Sequence, residues 1–129
     1  MRRRAGVIVW SGDEILLIQR IKGDRRYWVI PGGGIDEGET SLEAACRELR
    51  EELELVVQQD QLRLICQITS QGNDETYYQI EIEKKEFVIH GEEKERSNEK
   101  NVYIPTWIRK DELQELDLKP EEMKMKLLK

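Results

Sequence analysis

Residues 33–55 read GGIDEGETSLEAACRELREELEL, which places a glycine turn directly before a helix crowded with carboxylates. Thr40 and Glu43 form a capping box, the pattern that starts a helix by satisfying its first backbone N–H groups. Four apolar side chains recur at helical spacing on one face: Leu42, Cys46, Leu49 and Leu53. We therefore predict a helix over residues 40–53 whose apolar face packs on a sheet.

The same helix carries a cluster of acidic side chains. Glu48, Glu51 and Glu52 lie three and four residues apart, so they are expected to converge on one side of the helix. Like charges this close together cost stability, and a hard cation such as Mg²⁺, which takes oxygen ligands, offsets that cost. The plain alternative is a solvated, glutamate-rich helix face, which is common in a chain with 37% charged residues. Within the cluster, Arg47 can pair with Glu51 or with Glu39.

Apolar and β-branched runs predict a sheet built from segments on both sides of this helix in the chain. Gly12-Asp13 is a two-residue hairpin signal between the first two runs, and Gly72-Asn73-Asp74 is a later turn signal. Strands are expected at residues 5–11, 14–20, 27–31, 62–69, 76–82, 87–90 and 102–108. Short helices are expected at residues 110–116 and 120–128, with Pro120 in a first turn, and the charged run 91–100 is expected to be a loop. No repeat or linker divides the sequence, so residues 1–129 are expected to form one domain.

Composition and charge narrow the functional classes. The net charge of −6 disfavours a stable nucleic-acid partner, and no apolar stretch approaches the roughly 20 residues of a membrane span. Residues 1–33 carry seven Lys/Arg against three Asp/Glu, whereas residues 36–55 carry eight acids against two bases. A basic wall could therefore face an acidic one across a cleft. The two cysteines, Cys46 and Cys66, lack metal-ligand spacing and are typical of reduced thiols, which favours a cytoplasmic location.

The glycine turn and acidic helix resemble the Nudix box, G-x5-E-x7-R-E-U-x-E-E-x-G-U with U apolar. The matching residues are Gly33, Glu39, Arg47, Glu48, Leu49, Glu51, Glu52 and Leu55. Six fixed letters coincide by chance in about one of 10⁷ windows of average composition, so the match outweighs the solvated-face alternative. One position departs from the box, because Glu54 stands where it has the glycine that ends a helix in left-handed geometry. Either the helix continues past Glu54 or the strain is absorbed locally.

The resemblance implies an α+β fold, a Nudix-type α/β/α sandwich with a mixed, mostly antiparallel sheet, similar to the compact MutT-like members. It also implies a Mg²⁺- or Mn²⁺-dependent enzyme that hydrolyses a nucleoside diphosphate linked to another moiety, with water attacking phosphorus. The metal ligands that it implies are Glu48, Glu51, Glu52 and the Gly33 carbonyl. Glu48 or Glu51 is the expected general base, and Arg47 completes the catalytic group. Substrate-binding positions are expected at Arg20, Gly32, Gly33, Gly34 and Glu39, of which Glu39 also helps Arg47 to orient the loop and the helix.

Other residues have weaker signals. Three bases that follow Arg20 can hold outer phosphates or be ordinary surface charge: Lys22, Arg25 and Arg26. Aromatic side chains that could stack on a base, or else pack in the core, are Tyr27, Trp28, Tyr78, Tyr103 and Trp107. A further acid from the loop, Glu93 or Glu95, could reach the metal, although a solvated loop is the commoner outcome. His90 is expected to be structural or exposed, and Cys46 to be inert.

Two other functions stay open at this point. One is a catalytically idle nucleotide-binding regulatory domain, against which the complete glutamate set argues. The other is removal of a 5′ end from RNA, against which the acidic net charge argues. The expected partner is a small nucleotide or nucleotide derivative, with no membrane, and the chain is expected to be a monomer or a homodimer.

Overall fold

The computed structural model describes residues 2–88 and 101–128, with Asn101 described for its backbone alone. The strands in these residues are β1 (Arg3–Ser11), β2 (Glu14–Lys22), β3 (Arg25–Val29), β4 (Gly32–Gly34), β5 (Arg63–Ser70), β6 (Asn73–Glu81), β7 (Asn101–Arg109) and β8 (Leu118–Lys119). The helices are α1 (Ser41–Leu53) and α2 (Glu121–Leu127), with 3-10 turns at Gln59–Gln61 and Lys110–Glu115. No helix in the described part of the chain is both long enough and apolar enough to cross a bilayer.

The strands form one mixed sheet, in which β1 and β6 run parallel, as do β3 and β8, while the other neighbours are antiparallel. This confirms the predicted mixed, mostly antiparallel sheet. The β1–β2 hairpin pairs only near its turn, over Val9–Ser11 and Glu14–Leu16. Beyond that point, β1 pairs with β4 and β6, whereas β2 pairs with β3 and β7. The two halves of the sheet therefore diverge, and a cleft opens between them.

Helices cover both faces of the sheet, which confirms the α/β/α layering. Alternate residues of β1 point to opposite faces, because side chains along a strand alternate. Val7 and Val9 join the core under α1, whose buried residues include Ala44, Ala45, Leu49 and Leu53. Ile8 joins the core on the other face, which contains Met123 and Leu127 of α2. Leu42 and Cys46 are half-buried and pack against the first core, so the predicted apolar face of α1 is confirmed.

Local signals set both ends of α1. The Thr40 side chain accepts a hydrogen bond from the Glu43 backbone N–H at 3.0 Å, and the Glu43 carboxylate accepts one from the Thr40 N–H at 2.9 Å. The helix ends at Leu53, and Glu54 takes the left-handed conformation with φ of 55°. The Leu55 N–H then donates to the Leu49 carbonyl at 3.1 Å, which closes the helix as the missing box glycine would. Of the two outcomes expected for Glu54, the structure has local strain rather than a longer helix.

The glycine segment differs from its prediction. The third strand ends at Val29, two residues earlier than predicted, and Gly32–Gly34 forms β4 instead of a loop. β4 lies against β1 so closely that a Cβ on Gly32 would stand 2.2 Å from the Ala5 carbonyl oxygen. Only glycine allows this approach, and the pairing partner is too far away in the sequence for turn signals to indicate it.

Smaller differences fall in the second half of the chain. β6 begins at Asn73, three residues before the prediction, and the short strand β8 was not predicted. Residues 82–88 contain no strand, so the predicted strand 87–90 is wrong at Phe87 and Val88. The remaining part of that strand and the charged run 91–100 lie outside the described residues. The predicted helix 110–116 is a 3-10 turn, and Pro120 is the N-cap of α2 rather than part of its first turn.

Candidate active site

Gly33 and Glu48 meet where β4 packs against α1. A Cβ added to Gly33 would lie 2.5 Å from Glu48 Cδ and 2.6 and 2.7 Å from the two carboxylate oxygens. The Glu48 carboxylate therefore rests directly on the Gly33 backbone, and any larger residue would displace it. This contact brings together two of the residues that the resemblance assigns to the metal.

Arg47 is the centre of a hydrogen-bond network that ties the glycine strand to the helix. Its guanidinium donates a hydrogen bond to each oxygen of the Glu39 carboxylate, from Nε to Oε2 at 2.7 Å and from Nη2 to Oε1 at 2.9 Å. Nη2 also donates to the Gly34 carbonyl at 2.9 Å. Nη1 donates to Glu48 at 2.8 Å and to Glu51 at 3.2 Å. Both pairings considered from the sequence, with Glu39 and with Glu51, are therefore present.

The network shifts the ionisation of its members. The hydrogen bonds from Arg47 and from the Asp36 N–H lower the pKa of Glu39 to about 2, against the smaller opposing effect of burial. In turn, the hydrogen bond to Glu39 raises the pKa of Arg47 above its ordinary value. Glu39 and Arg47 are therefore a permanent ion pair at neutral pH, which suits a role in holding the loop and the helix together.

The three acidic side chains of α1 differ in their surroundings. Glu51 is exposed and Glu48 is half-buried, and both accept from Arg47. Glu52 is only 4% exposed and borders the cleft between the two halves of the sheet. Adjacent helical residues point about 100° apart, which separates Glu51 from Glu52. Among the described residues, no three Asp, Glu, His or Cys side chains stand close enough to share a metal ion.

The cleft has a volume of about 580 Å³, within the range of small-molecule sites. It lies where β1 and β2 diverge, and Gly32 of β4 lines it together with Glu52. One wall comes from β2, β3 and β7, and the opposite wall comes from β1 and β6. The start of α2 closes one end, where Glu121 and Glu122 line it. The cleft therefore connects the acidic helix with a surface shaped for a ligand.

Arg20 stands in a row of aromatic side chains on the first wall. It pairs in register with Tyr27 on β3 and with Tyr103 on β7. The guanidinium carbon lies 3.9 Å from the centre of the Tyr103 ring and 5.4 Å from that of Tyr27, distances typical of cation–π contacts. Arg25 also lines the cleft and lies over Tyr27 at 5.2 Å. The predicted phosphate-contacting residue is therefore in the cleft with Arg25, whereas Lys22 and Arg26 do not line it.

The other aromatic candidates have structural roles. Trp28 is buried in the core, and the Tyr78 hydroxyl shares a hydrogen bond of 2.7 Å with Ser41 on the far face of the sheet. Trp107 donates to the Lys85 carbonyl at 2.7 Å and packs on Phe87. Only Tyr27 and Tyr103 of the predicted stacking set line the cleft.

Glu75 and Tyr77 are among the cleft residues that the sequence did not predict. They lie on the second wall because β6 runs parallel to β1, a long-range pairing that strand patterns do not reveal. The alternation along residues 75–81 was the one available signal that these side chains share a face. The loop acids Glu93 and Glu95 and the lone His90 lie outside the described residues. Cys46 is half-buried, and burial raises the pKa of its thiol, as an inert cysteine requires.

Comparisons of the sequence and of the structure show which known proteins this chain is similar to. The family model described as NUDIX domain matches residues 1–128. The chain is 50% identical over 46 residues to an RNA pyrophosphohydrolase of Rhizobium meliloti (strain 1021), an alignment that covers 35% of this chain and 28% of that protein. It is 39% identical over 66 residues to the dihydroneopterin triphosphate diphosphatase of Escherichia coli (strain K12), covering 49% of this chain and 43% of that protein. Both alignments span less than half of the relative's own length.

A solved structure is similar over nearly the whole chain. The crystal structure of a MutT NUDIX hydrolase from Burkholderia pseudomallei superposes with a TM-score of 0.75 at 20% sequence identity. The superposition covers 99% of this chain and 98% of the other. At this level of identity the likeness establishes the fold.

Proposed function

The chain belongs to the Nudix family, and on this premise we propose that residues 1–129 form one domain that hydrolyses the phosphoric anhydride of a nucleotide or nucleotide derivative. The observation that carries the proposal is the adjacency of two features. The Arg47 network holds Glu48 against the Gly33 backbone, and the next acidic side chain along the helix face, Glu52, borders a cleft with a cationic wall. Acidic groups for a cation and basic groups for phosphates thus lie next to each other.

The donor set fits a hard divalent cation such as Mg²⁺ or Mn²⁺. Glu48, Glu51 and Glu52 supply carboxylate oxygens within two turns of α1, and Gly33 adds a carbonyl at the strand packed beneath them. Such cations take oxygen ligands and keep waters and phosphate oxygens in their remaining positions. When bound, the ion would neutralise phosphate charge and lower the pKa of a water. The exposed Glu51 side chain has the freedom to turn from Arg47 toward a cation.

The chain's own residues then have separate tasks. Arg47 and Glu39 fix β4 relative to α1, so the Glu48 carboxylate has a defined position. Arg20 and Arg25 hold substrate phosphates on the opposite side of the cleft, where Tyr103 and Tyr27 support their guanidinium groups. Glu48 or Glu51 acts as the general base that accepts a proton from the attacking water. Gly32, which lines the cleft, allows the backbone to approach the substrate.

The expected substrate is a small nucleotide or nucleotide derivative. The names of the two relatives point to two kinds of substrate, RNA and dihydroneopterin triphosphate. The net charge of −6 favours the small molecule, because RNA binding depends on basic surface. RNA 5′-end hydrolysis is the second candidate, supported by the 50% identity to the Rhizobium protein. The free thiols Cys46 and Cys66 support a cytoplasmic location.

Metal-dependent release of phosphate or pyrophosphate tests the proposal. A panel of nucleoside triphosphates, dinucleoside polyphosphates, nucleotide sugars, dihydroneopterin triphosphate and 5′-triphosphorylated RNA is incubated with Mg²⁺ or Mn²⁺, and products are identified. Running the reaction in ¹⁸O-water locates the attacked phosphorus. We expect turnover of a small nucleotide that excess unphosphorylated RNA does not inhibit at any salt concentration.

Matched variants separate an enzyme from an idle domain. Glu51→Gln and Glu52→Gln remove one carboxylate charge each and are expected to lower kcat at least 100-fold with little change in the thermal midpoint. Glu37→Gln makes the same chemical change on an exposed turn residue and serves as the control. Undiminished turnover by both helix variants, or the absence of any metal-dependent turnover in the native chain, would contradict the proposal.

A further inference from the structure

Glu75 is a buried carboxylate on the wall of the cleft. It is 7% exposed, although glutamate is among the residues least often buried. It lines the cleft from β6, and its register neighbour on β1 is Arg4, which also lines the cleft. Within the described residues, no Lys or Arg nitrogen comes within 4.0 Å of the Glu75 carboxylate. Burying a carboxylate that no cation pairs with is costly, so a ligand that supplies further hydrogen-bond donors would offset the cost.

The carboxylate is held in place by Tyr77, two residues along the same strand face. The Tyr77 hydroxyl donates a short hydrogen bond to Glu75 Oε1. Burial and this hydrogen bond raise the pKa of Tyr77, which keeps its hydroxyl protonated as a donor. The ring packs against Gly6, where an added Cβ would stand 2.6 Å from Tyr77 Cε1. Glu75 is therefore preoriented, and its other oxygen has acceptor capacity left, since a carboxylate offers about four acceptor sites.

The kind of ligand follows from this chemistry. An ionised carboxylate only accepts hydrogen bonds, and two parallel N–H donors give it a strong bidentate partner. The Watson–Crick edge of guanine provides such a pair, an amide N–H beside an exocyclic amino group. Adenine instead places a ring acceptor beside its amino group, which would face the carboxylate oxygens. A metal ion is disfavoured here, because the register neighbour of Glu75 is the cationic Arg4.

We propose that Glu75 is a specificity-determining residue that selects substrates whose base carries an amide N–H next to an exocyclic amino group, as guanine does. The inference rests on the proposed nucleotide hydrolysis and assigns the base to the β6 wall. Arg20 and Arg25 occupy the opposite wall with the phosphates. Ser70 and Asn73 at the tip of the β5–β6 hairpin border the same end of the cleft and can hydrogen bond to the remaining base atoms.

A comparison of GTP with ITP isolates the proposed contact between Glu75 and the exocyclic amino group, since hypoxanthine differs from guanine only by lacking that group. A hydrogen bond to a charged acceptor is worth about 10-fold or more, so the native chain is expected to show a kcat/KM for GTP at least about 10-fold above that for ITP. Glu75→Gln is expected to reduce this ratio to about 2-fold or less, mainly through KM. Tyr77→Phe, which removes the orienting hydroxyl, is expected to give an intermediate ratio.

Glu81→Gln is the matched control, because Glu81 lies on the same strand but is exposed and bonds to the Gly12 N–H at 3.0 Å. Calorimetric titration with GDP and IDP, without metal, repeats the comparison independently of turnover. Equal kcat/KM for GTP and ITP in the native chain, or an unchanged ratio in Glu75→Gln, overturns the inference while leaving hydrolysis in place. If no nucleotide is hydrolysed, the proposed function is overturned instead. The GDP and IDP affinities then still decide whether Glu75 binds the exocyclic amino group of the base.

Discussion

Replacing Gly33 with alanine tests whether the contact between β4 and α1 positions the candidate active site. The added Cβ would stand 2.5 Å from Glu48 Cδ, and ordinary van der Waals contact begins at 3.4 Å. The carboxylate must therefore move by about 1 Å, and Arg47, which bonds it at 2.8 Å, opposes the movement. A misplacement of about 1 Å in a catalytic group costs about 100-fold in rate. We expect Gly33→Ala to lose about that factor in kcat.

Stability is expected to fall less than activity. The atoms that must yield belong to the end of a flexible side chain, so the cost in unfolding free energy is about 1 kcal/mol, at the low end for overpacking. The assay is steady-state product release at saturating Mg²⁺, together with thermal unfolding of the same samples. Kinetics and melting measured together separate displacement of Glu48 from loss of the fold.

Gly34→Ala provides the steric control one residue along the strand. Its Cβ would have 3.7 Å to the nearest described atom, on Arg2, and the variant keeps the carbonyl that accepts from Arg47. We expect its loss of kcat to be at least 10-fold smaller than that of Gly33→Ala. The reasoning is refuted if Gly33→Ala retains more than about a third of native kcat, or if the two variants lose activity equally.

Two further predictions concern stability. Because the pKa of Glu39 is lowered from 4.5 to about 2 in the folded chain, its ion pair stabilises the fold above pH 4.5 and is lost as the pH falls toward 2. The thermal midpoint should therefore decline over that interval, and Glu39→Gln should show a shallower decline; equal slopes for both proteins would contradict this. Glu54→Gly should raise the unfolding free energy by about 0.5 kcal/mol, because glycine takes a φ of 55° without the steric penalty but has a more flexible unfolded chain. Urea unfolding measures the change, and a loss of stability would show that Glu54 is not strained.

The sequence predicted what is determined locally or by a spaced motif. Thr40 and Glu43 set the start of α1 through contacts three residues apart, and the apolar face followed from helical spacing. The pairing of Arg47 with Glu39 or Glu51 was predicted from the residues, and both pairings are present; the resemblance added the role of Arg47 and Glu39 in orienting the loop and the helix. These elements required no knowledge of which strands are neighbours.

What the sequence did not predict depends on long-range pairing. Gly32–Gly34 became a strand because β1 offers it a partner, and Glu75 entered the cleft because β6 lies parallel to β1. Glu51 and Glu52 were predicted to lie on the same side of α1. Neighbouring helical positions point in different directions, however, and of these two side chains only Glu52 is buried. Strand order and burial are properties of the assembled sheet, which explains why patterns within one segment do not reveal them.

The short pairing between β1 and β2 has a consequence for how this scaffold can change. Because the hairpin separates after three residue pairs, the proposed base-contacting residue Glu75 and the proposed phosphate-contacting residue Arg20 belong to different strand pairs, and neither pair includes the acidic side chains of α1. On the proposed assignment, an exchange at position 75 is therefore expected to change which base is bound without moving Glu48 or Arg47 of α1. A fold in which separate strand pairs contact the base and the phosphates can change its substrate while it keeps the same hydrolytic reaction.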